Sequence, residues 1–176
     1  TGSCNPAQHY MVDTSRKLAQ IEEYIEEGLY FTINRARQFG KTTTMDSLFR
    51  LLSDKYFMIK ISFEGLGEED YREGRLFLSE FQKILVKKIK TVSPDLADFW
   101  KTPALSFGDL SQKVYDFCKL VNKPVVLMID EVDKSQNNQL FLDLLGMLRN
   151  LYLERSESGD MHSTFYSVIL AGVYDV

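Results

Sequence analysis

The feature that most constrains this chain is an apolar run followed by a glycine and a lysine at the start of a helical pattern. Residues 29–33, Leu-Tyr-Phe-Thr-Ile, have the composition of a buried strand. Gly40-Lys41-Thr42 comes next, and a helical pattern continues to about Ser53. Free N–H groups and the dipole at such a helix start attract anions. The arrangement predicts a phosphate-binding turn, and the alternative is an ordinary helix start after a turn.

Three residues of this turn have distinct chemical roles. Gly40 allows the backbone to approach a phosphate without an obstructing Cβ. The Lys41 ammonium would contact the β- and γ-phosphates of a nucleotide, and the Thr42 hydroxyl would coordinate Mg²⁺. The full pattern Gly-x-x-x-x-Gly-Lys-Ser/Thr is not met, because Arg35 occupies the first glycine position. The predicted nucleotide-binding residues are Arg35, Arg37, Gln38, Phe39, Gly40, Lys41, Thr42 and Thr43.

The two arginines of the turn have two interpretations. Arg35 and Arg37 flank the loop, where their guanidinium groups could offset phosphate charge or contact the ribose or base. They could equally form ion pairs with local acidic residues on the surface. The sequence leaves both interpretations open.

A second apolar run carries the partner carboxylates. Residues 124–129, Pro-Val-Val-Leu-Met-Ile, predict a strand covered on both faces, and Asp130-Glu131 follows directly. Asp130 would hold Mg²⁺ through a water molecule, and Glu131 would polarise the attacking water as general base. The alternative is that two carboxylates merely solvate a strand end. The predicted catalytic residues are Glu131 and Lys41, and the predicted metal ligands are Thr42 and Asp130.

Strand and helix patterns alternate along the whole chain. Helical spacing predicts helices over 15–27, 71–90, 109–121 and 140–153, and apolar runs predict further strands over 56–63 and 166–173. The resulting order is a leading helix followed by β-α-β-α-α-β-α-β. Such alternation predicts an α/β fold with a mostly parallel sheet between two layers of helices.

Composition excludes several classes of protein. A chain of 176 residues with 44% hydrophobic residues predicts a single globular domain. Its net charge of −4 argues against a surface that binds nucleic acid everywhere. A basic cluster at Lys87-Lys88-Ile89-Lys90 fits the negative end of a helix dipole, and the alternative is a nucleic-acid contact. Cys4 and Cys118 lack metal-ligand spacing and indicate reduced thiols.

The sequence contains neither a membrane-spanning pattern nor a signal-segment pattern. No apolar stretch has the length of a membrane span, and the polar start of the chain has no signal-peptide core. We therefore expect a cytoplasmic protein without a membrane partner. Because the chain starts without Met and stops inside an apolar run, we expect residues 1–176 to be the N-terminal fragment of a longer protein.

These segments together resemble one protein family, the AAA-ATPase-like proteins of bacteria. The resemblance rests on Tyr10-Met-Val-Asp13, on residues 30–44 with their Arg-Ala-Arg-Gln-Phe-Gly-Lys-Thr core, on Ile61-Ser-Phe63, on Leu127-Met-Ile-Asp-Glu-Val-Asp133 and on residues 169–176. Arginine at the first glycine position is a trait of that family. The resemblance implies a three-layer α/β/α P-loop core of the additional-strand type. It also implies a chain truncated before its last strand and helical lid.

The resemblance further implies ATP and Mg²⁺ as cofactors and a partner domain. Many relatives continue into a C-terminal PD-(D/E)xK nuclease-like domain, which is absent here because no Asp-x-Lys or Glu-x-Lys occurs. Nucleic acid would be contacted only through that missing domain, and the oligomeric state is left open. In additional-strand proteins the inserted strand often ends in a polar sensor residue. Tyr174 and Asp175 are the candidates here, and the alternative is that they form an ordinary strand end.

Three functional hypotheses result. The first is Mg²⁺-dependent ATP hydrolysis that acts as a conformational switch for the C-terminal domain. The second is a nucleotide-binding scaffold without efficient turnover, which Arg35 and the lack of an identifiable arginine finger favour. The third is a P-loop kinase, for which the sequence offers no acceptor site or lid motif. Phosphate release measured with and without acceptors distinguishes them.

Overall fold

The computed structural model describes residues 6–35, 41–135 and 137–173, and for residues 6–14, 35, 41–44 and 173 it describes the backbone alone. The helices are α1 (Pro6–Glu26), α2 (Lys41–Leu52), α3 (Gly74–Val92), α4 (Pro94–Ala97), α5 (Phe107–Leu120) and α6 (Gln139–Ser158). The strands are β1 (Tyr30–Arg35), β2 (Phe57–Ser62), β3 (Val125–Asp130) and β4 (Ser167–Val173). Three short 3₁₀ turns span Glu68–Tyr71, Asp98–Lys101 and Asp133–Ser135. The alternating order predicted from the sequence is confirmed.

The described strands form one parallel sheet in the order β1-β4-β3-β2. The last strand in the sequence therefore lies between the first and the third. Its register is set by Ile33 opposite Ala171 on one side and Ile129 opposite Leu170 on the other. This order confirms the additional-strand arrangement, in which one strand separates β1 from β3.

Side-chain alternation divides the core into two layers. On one face of the sheet, Met58, Met128 and Ile169 pack against Ile25 of α1 and Leu48 of α2. The opposite face is covered by α3, α5 and α6, and its largest strand residues are Phe57, Ile59, Ile61, Leu127, Ile129 and Val168. Since β3 is buried on both faces, all six of its residues are buried, which explains its uninterrupted apolar sequence. The three-layer α/β/α architecture is confirmed.

Local signals account for several helix ends. The Asn138 side chain accepts hydrogen bonds from the N–H groups of Leu140 and Phe141 and thus begins α6. Ser106 does the same for α5 by accepting from the Asp109 N–H at 3.1 Å. Gly28, with φ of 71°, follows α1 in the left-handed conformation that favours glycine. The helix predicted over residues 15–27 likewise ends directly before Gly28.

Several elements differ from the sequence prediction. Helix α1 begins at Pro6, although the sequence pattern placed its start near Ser15. Proline is well tolerated in a first helical turn, where its missing N–H costs nothing. Helix α3 begins at Gly74 and not at Tyr71, because residues 68–71 form a separate 3₁₀ turn. Residues 94–101, which lie outside the helices predicted from the sequence, form two short helical turns that bury Trp100 against α3 and α5.

A buried arginine fastens the amino edge of the sheet. Arg155 of α6 is 1% exposed, and its Nη1 donates to the carbonyl oxygens of Phe165 at 3.1 Å and Tyr166 at 2.5 Å. Its Nη2 donates to the carbonyl oxygen of Gly28. The guanidinium carbon also lies 5.0 Å from the ring centre of Tyr30. One side chain therefore joins α6 to the segments that lead into β1 and β4.

None of the described helices combines the length and the apolar character that crossing a bilayer requires.

Candidate functional site

Two strands that end in predicted site residues, β1 and β3, have their last residues at the carboxyl edge of the sheet. In β1 the last residue, Arg35, is opposite Val173 of β4, and in β3 the last residue, Asp130, is opposite Ser62 of β2. Ligands of open parallel sheets bind outside this edge. Helix α2 begins at Lys41, shortly after β1 ends. The ends of β1 and β3 therefore lie at the same edge of the sheet, with β4 between the two strands.

Asp130 is the buried carboxylate of this edge. It is 5% exposed, and its Oδ1 accepts a hydrogen bond from the Glu131 N–H at 2.8 Å. A buried charge needs such partners, because leaving it unpaired in a low-dielectric interior is costly. One carboxylate oxygen is thus oriented by the backbone.

Glu131 has an unusual backbone conformation. Its φ is 58°, the only positive φ at a non-glycine residue in the described part of the chain. A left-handed conformation at a residue with a Cβ is strained and persists only where surrounding contacts impose it. The strain ends β3 and turns the chain immediately after the buried carboxylate.

Two contacts hold the turn that follows Glu131. The Val132 N–H donates to the carbonyl oxygen of Ala171 in β4 at 3.2 Å. At the end of the turn, the hydroxyls of Ser135 and Tyr71 are hydrogen-bonded to each other. Burial raises the pKa of Tyr71, and the Ser135 hydrogen bond acts in the opposite direction. The turn is thus fastened both to β4 and to the 3₁₀ turn that follows β2.

Gly172 allows β4 to approach this turn closely. A Cβ on Gly172 would lie 3.2 Å from Cγ2 of Val132 and 3.6 Å from Cβ of Asp133. Few side chains fit in such a space without displacing their neighbours. Asp133 and Ser62 are residues of this edge to which the sequence gave no role. Ser62 could have been found from the sequence, because it is a polar residue near the end of an apolar run that predicts a strand.

The phosphate-loop residues are described only in part. Arg35 ends β1, and Lys41, Thr42 and Thr43 form the first turn of α2, all as backbone. Four predicted site residues lie outside the described residues, namely Arg37, Gln38, Phe39 and Gly40. The sensor candidates Tyr174 and Asp175 also lie outside them. The assignments to phosphate and metal therefore stay predictions.

The described residues contain no group of three or more His, Cys, Asp and Glu side chains that could hold a metal ion. Mg²⁺ bound together with a nucleotide is held mainly by phosphates and water, with one or two protein ligands. The single buried carboxylate of Asp130 fits a site of that kind.

Two concave surfaces of the described residues lie away from this edge. One, of about 370 Å³, lies between β1 and α6, and the other, of about 360 Å³, lies between α3 and the 100–103 segment. Neither includes a predicted site residue. Residues 36–40, which would form one wall of a nucleotide site, lie outside the described residues.

The fold and the carboxyl edge of the sheet together define a class of protein, the P-loop ATPase type of α/β domain. A four-stranded parallel sheet with β4 between β1 and β3, helices on both faces and carboxylates at the end of β3 are its features. The profile of the AAA-like domain matches residues 3–171, and the chain belongs to that family.

Structural similarity agrees with this assignment. A chain in a structure described as "Structure of Drosophila ORC bound to DNA" superposes with a TM-score of 0.51 at 12% sequence identity. The match covers 96% of this chain and 80% of that chain. At this identity the similarity establishes the fold alone. No protein of curated function matches the sequence.

Proposed function

We propose that this domain binds ATP with Mg²⁺ at the carboxyl edge of its sheet and hydrolyses it. The observation that carries the proposal is the strand order, since β4 separates β1 from β3 and both end at one edge. In this proposal the start of α2 and the carboxylates of Asp130 and Glu131 flank one nucleotide-binding space. That space is where parallel α/β sheets bind their ligands.

The binding roles follow from residue chemistry. The N–H groups at the start of α2, together with Lys41, would hold the β- and γ-phosphates. Thr42 and Asp130 would hold Mg²⁺, which when bound neutralises phosphate charge. Arg35 and Arg37 would add guanidinium contacts to phosphate or ribose. Gln38, Phe39, Gly40 and Thr43 complete the loop as backbone and side-chain contacts.

Glu131 is the proposed general base. Its backbone turns away from the strand directly after Asp130, and the turn is fixed to β4 through Val132. A general base must be held within reach of the water whose proton it accepts. A strained but fixed backbone is a means of holding a side chain in such a position.

Hydrolysis would serve as a conformational switch. Loss of the γ-phosphate removes contacts that order the loops around it. The resemblance to bacterial AAA-ATPase-like proteins provides the partner, a C-terminal nuclease-like domain of the full-length protein in the cytoplasm. The Drosophila ORC structure is bound to DNA, and in this protein nucleic acid would be contacted through that C-terminal domain.

Isothermal titration with ATP and Mg²⁺ tests the binding half of the proposal. Lys41→Ala should abolish measurable binding, because it removes the charge facing the phosphates. Lys119→Ala, at an exposed position of α5, is the matched control and should bind like the parent. Equal affinity in the Lys41→Ala variant and the parent would contradict the proposal.

A phosphate-release assay tests the hydrolytic half. Glu131→Gln should retain ATP binding and lose turnover, since glutamine cannot accept the proton. Glu157→Gln, exposed near the end of α6, is the control. Turnover equal to that of the parent would remove Glu131 from the mechanism.

A second candidate function is a nucleotide-binding scaffold with little or no hydrolysis. Arg35 at the first glycine position is the observation that favours it. Binding by the parent without phosphate release, also in the full-length protein, would select this function over the first.

A further inference from the structure

A basic groove lies between α3 and the segment that follows α4. Its volume is about 360 Å³, and we call it the lysine groove. It is lined by Lys83, Val86 and Lys87 of α3 and by Trp100, Lys101 and Pro103 of the opposite wall. None of the residues assigned to nucleotide binding lines it.

One buried side chain fixes the wall opposite α3. Gln82, 4% exposed, donates from Nε2 to the carbonyl oxygens of Trp100 at 3.2 Å and Thr102 at 3.1 Å. Its Oε1 accepts from the Ala104 N–H at 2.6 Å. These three bonds hold residues 100–104 against α3. The groove is therefore already formed before any ligand arrives, which reduces the entropic cost of binding.

The charges of the groove are positive on both walls. Lys83 pairs with Glu80 at 2.6 Å and Lys101 with Asp98 at 2.5 Å, and all four side chains are at least partly exposed. Such exposed pairs contribute little and exchange readily for a ligand carboxylate. Lys87 has no carboxylate partner among the described residues. The groove thus presents cations on a chain whose net charge is −4.

The floor of the groove is apolar. Its apolar lining residues are Val86, Pro103 and Trp100, and because Trp100 is 1% exposed, Val86 and Pro103 supply the accessible apolar surface. The Nε1 donor of Trp100 is buried and has no acceptor among the described residues. An occupant should therefore combine an apolar group for the floor with anionic oxygens for the rim.

We propose that the lysine groove binds an acidic peptide segment of a partner protein, with one apolar side chain between carboxylates. Nucleic acid fits less well. Single-stranded bases stack on exposed aromatic rings, whereas the Trp100 ring is buried. Few lysines, two of them already paired, match a few carboxylates better than a continuous phosphate backbone.

Intrinsic fluorescence gives a specific readout, because the chain contains a single tryptophan and that residue lines the groove. The probe is a tryptophan-free hexapeptide with one leucine between aspartates and glutamates. Titration should change the Trp100 emission in a saturable manner, with a Kd of about 0.1 mM for so small a contact. A peptide with asparagine and glutamine at the acidic positions should bind at least about tenfold more weakly.

Two adjacent lysines of α3 provide matched variants. Lys87→Glu reverses the unpaired charge of the groove and should weaken binding about tenfold or more, as should Lys101→Glu on the other wall. Lys88→Glu makes the same change at an exposed neighbour that does not line the groove and should have little effect. Circular dichroism should show the same helix content in all three variants.

Several results would overturn the proposal. One is equal peptide affinity in Lys87→Glu and Lys88→Glu, and another is equal binding of the acidic and the neutral peptide. Absence of a saturable signal with the acidic peptide would also overturn it. So would saturation by a single-stranded DNA oligonucleotide without any response to the peptide, which would assign the groove to nucleic acid.

Discussion

The backbone N–H of Val132 donates a hydrogen bond to the carbonyl oxygen of Ala171, with 3.2 Å between nitrogen and oxygen. This bond joins the segment that follows β3 to the end of β4. Glu131 lies between that bond and the buried Asp130, in a left-handed conformation with φ of 58°. A change at the end of β4 should therefore reach the proposed base.

The first prediction concerns the contact of Gly172 with Val132. In Gly172→Ala the added Cβ lies 3.2 Å from Cγ2 of Val132, and overpacking should lower the free energy of unfolding by about 1 kcal/mol. The displaced turn should lower kcat for ATP hydrolysis more than it weakens ATP binding. Urea denaturation and steady-state kinetics measure the two effects.

Gly146→Ala is the matched control for this substitution. Gly146 lies inside α6, and no atom is within 4 Å of its added Cβ. Alanine there should raise the free energy of unfolding by about 0.5–1 kcal/mol through helix propensity. Effects of the same sign and size in both variants would contradict the close-contact argument.

The second prediction concerns the strain at Glu131. Glycine adopts a positive φ without steric cost, so Glu131→Gly should raise the free energy of unfolding by about 1 kcal/mol relative to Glu131→Gln. Both variants should lack ATP turnover if the residue is the base. Chemical denaturation of the two variants gives the difference. Equal stabilities would mean that the conformation at residue 131 carries no strain.

The third prediction concerns Arg155, whose guanidinium donates to the carbonyl oxygens of Gly28, Phe165 and Tyr166. Arg155→Met removes one donor from each of these carbonyl oxygens, of which only that of Phe165 also accepts from the Tyr30 hydroxyl. The loss should lower the free energy of unfolding by about 3 kcal/mol. Arg149→Met, at an exposed position of α6, should change it by less than about 0.5 kcal/mol. Thermal and urea unfolding of both variants test this prediction. A decrease in the free energy of unfolding no larger for Arg155→Met than for Arg149→Met would contradict the stabilising role of the Arg155 hydrogen bonds.

The fourth prediction concerns alkaline pH. Burial raises the pKa of the Cys118 thiol from its ordinary value of 9.0 to about 12. The folded state thus favours the protonated thiol. Its contribution to stability is complete below pH 9 and is lost as the pH rises from there towards 12. The free energy of unfolding should fall by about 1 kcal/mol per pH unit above 9.

Urea denaturation at pH 7.5, 9 and 10 measures this dependence. Cys118→Val removes the thiol and should show a smaller slope between pH 9 and 10. Burial also raises the pKa of Tyr30 to about 12, so the slope of the parent should steepen above pH 10. Identical slopes for the parent and Cys118→Val would show that Cys118 titrates alike in both states.

Part of the candidate site was predictable because its signals are local. The apolar run that ends in Asp130-Glu131 is the end of β3, as predicted. The backbone conformation of Glu131 was not predictable, because glutamate has no preference for a positive φ. The next residue, Val132, donates to Ala171 and lies against Gly172, and both of these partners are distant in sequence.

Local sequence patterns also failed to predict some helix boundaries. The sequence predicted a first helix that starts at residue 15, yet α1 begins at Pro6. Local patterns place helix starts poorly, because packing of the whole helix decides where it begins. Likewise, the two helical turns at residues 94–101 depend on the burial of Trp100 against α3 and α5.

The sequence by itself determined the four strands and the longer helices in their order, that the sheet would be parallel, and that carboxylates stand at the end of β3. These properties depend on the spacing of apolar residues and on short-range backbone preferences. Tertiary structure alone decided the fastening of the turn after Glu131, the buried position of Arg155 and the lysine groove. Each of these depends on atoms brought together from distant parts of the chain, which no local pattern encodes.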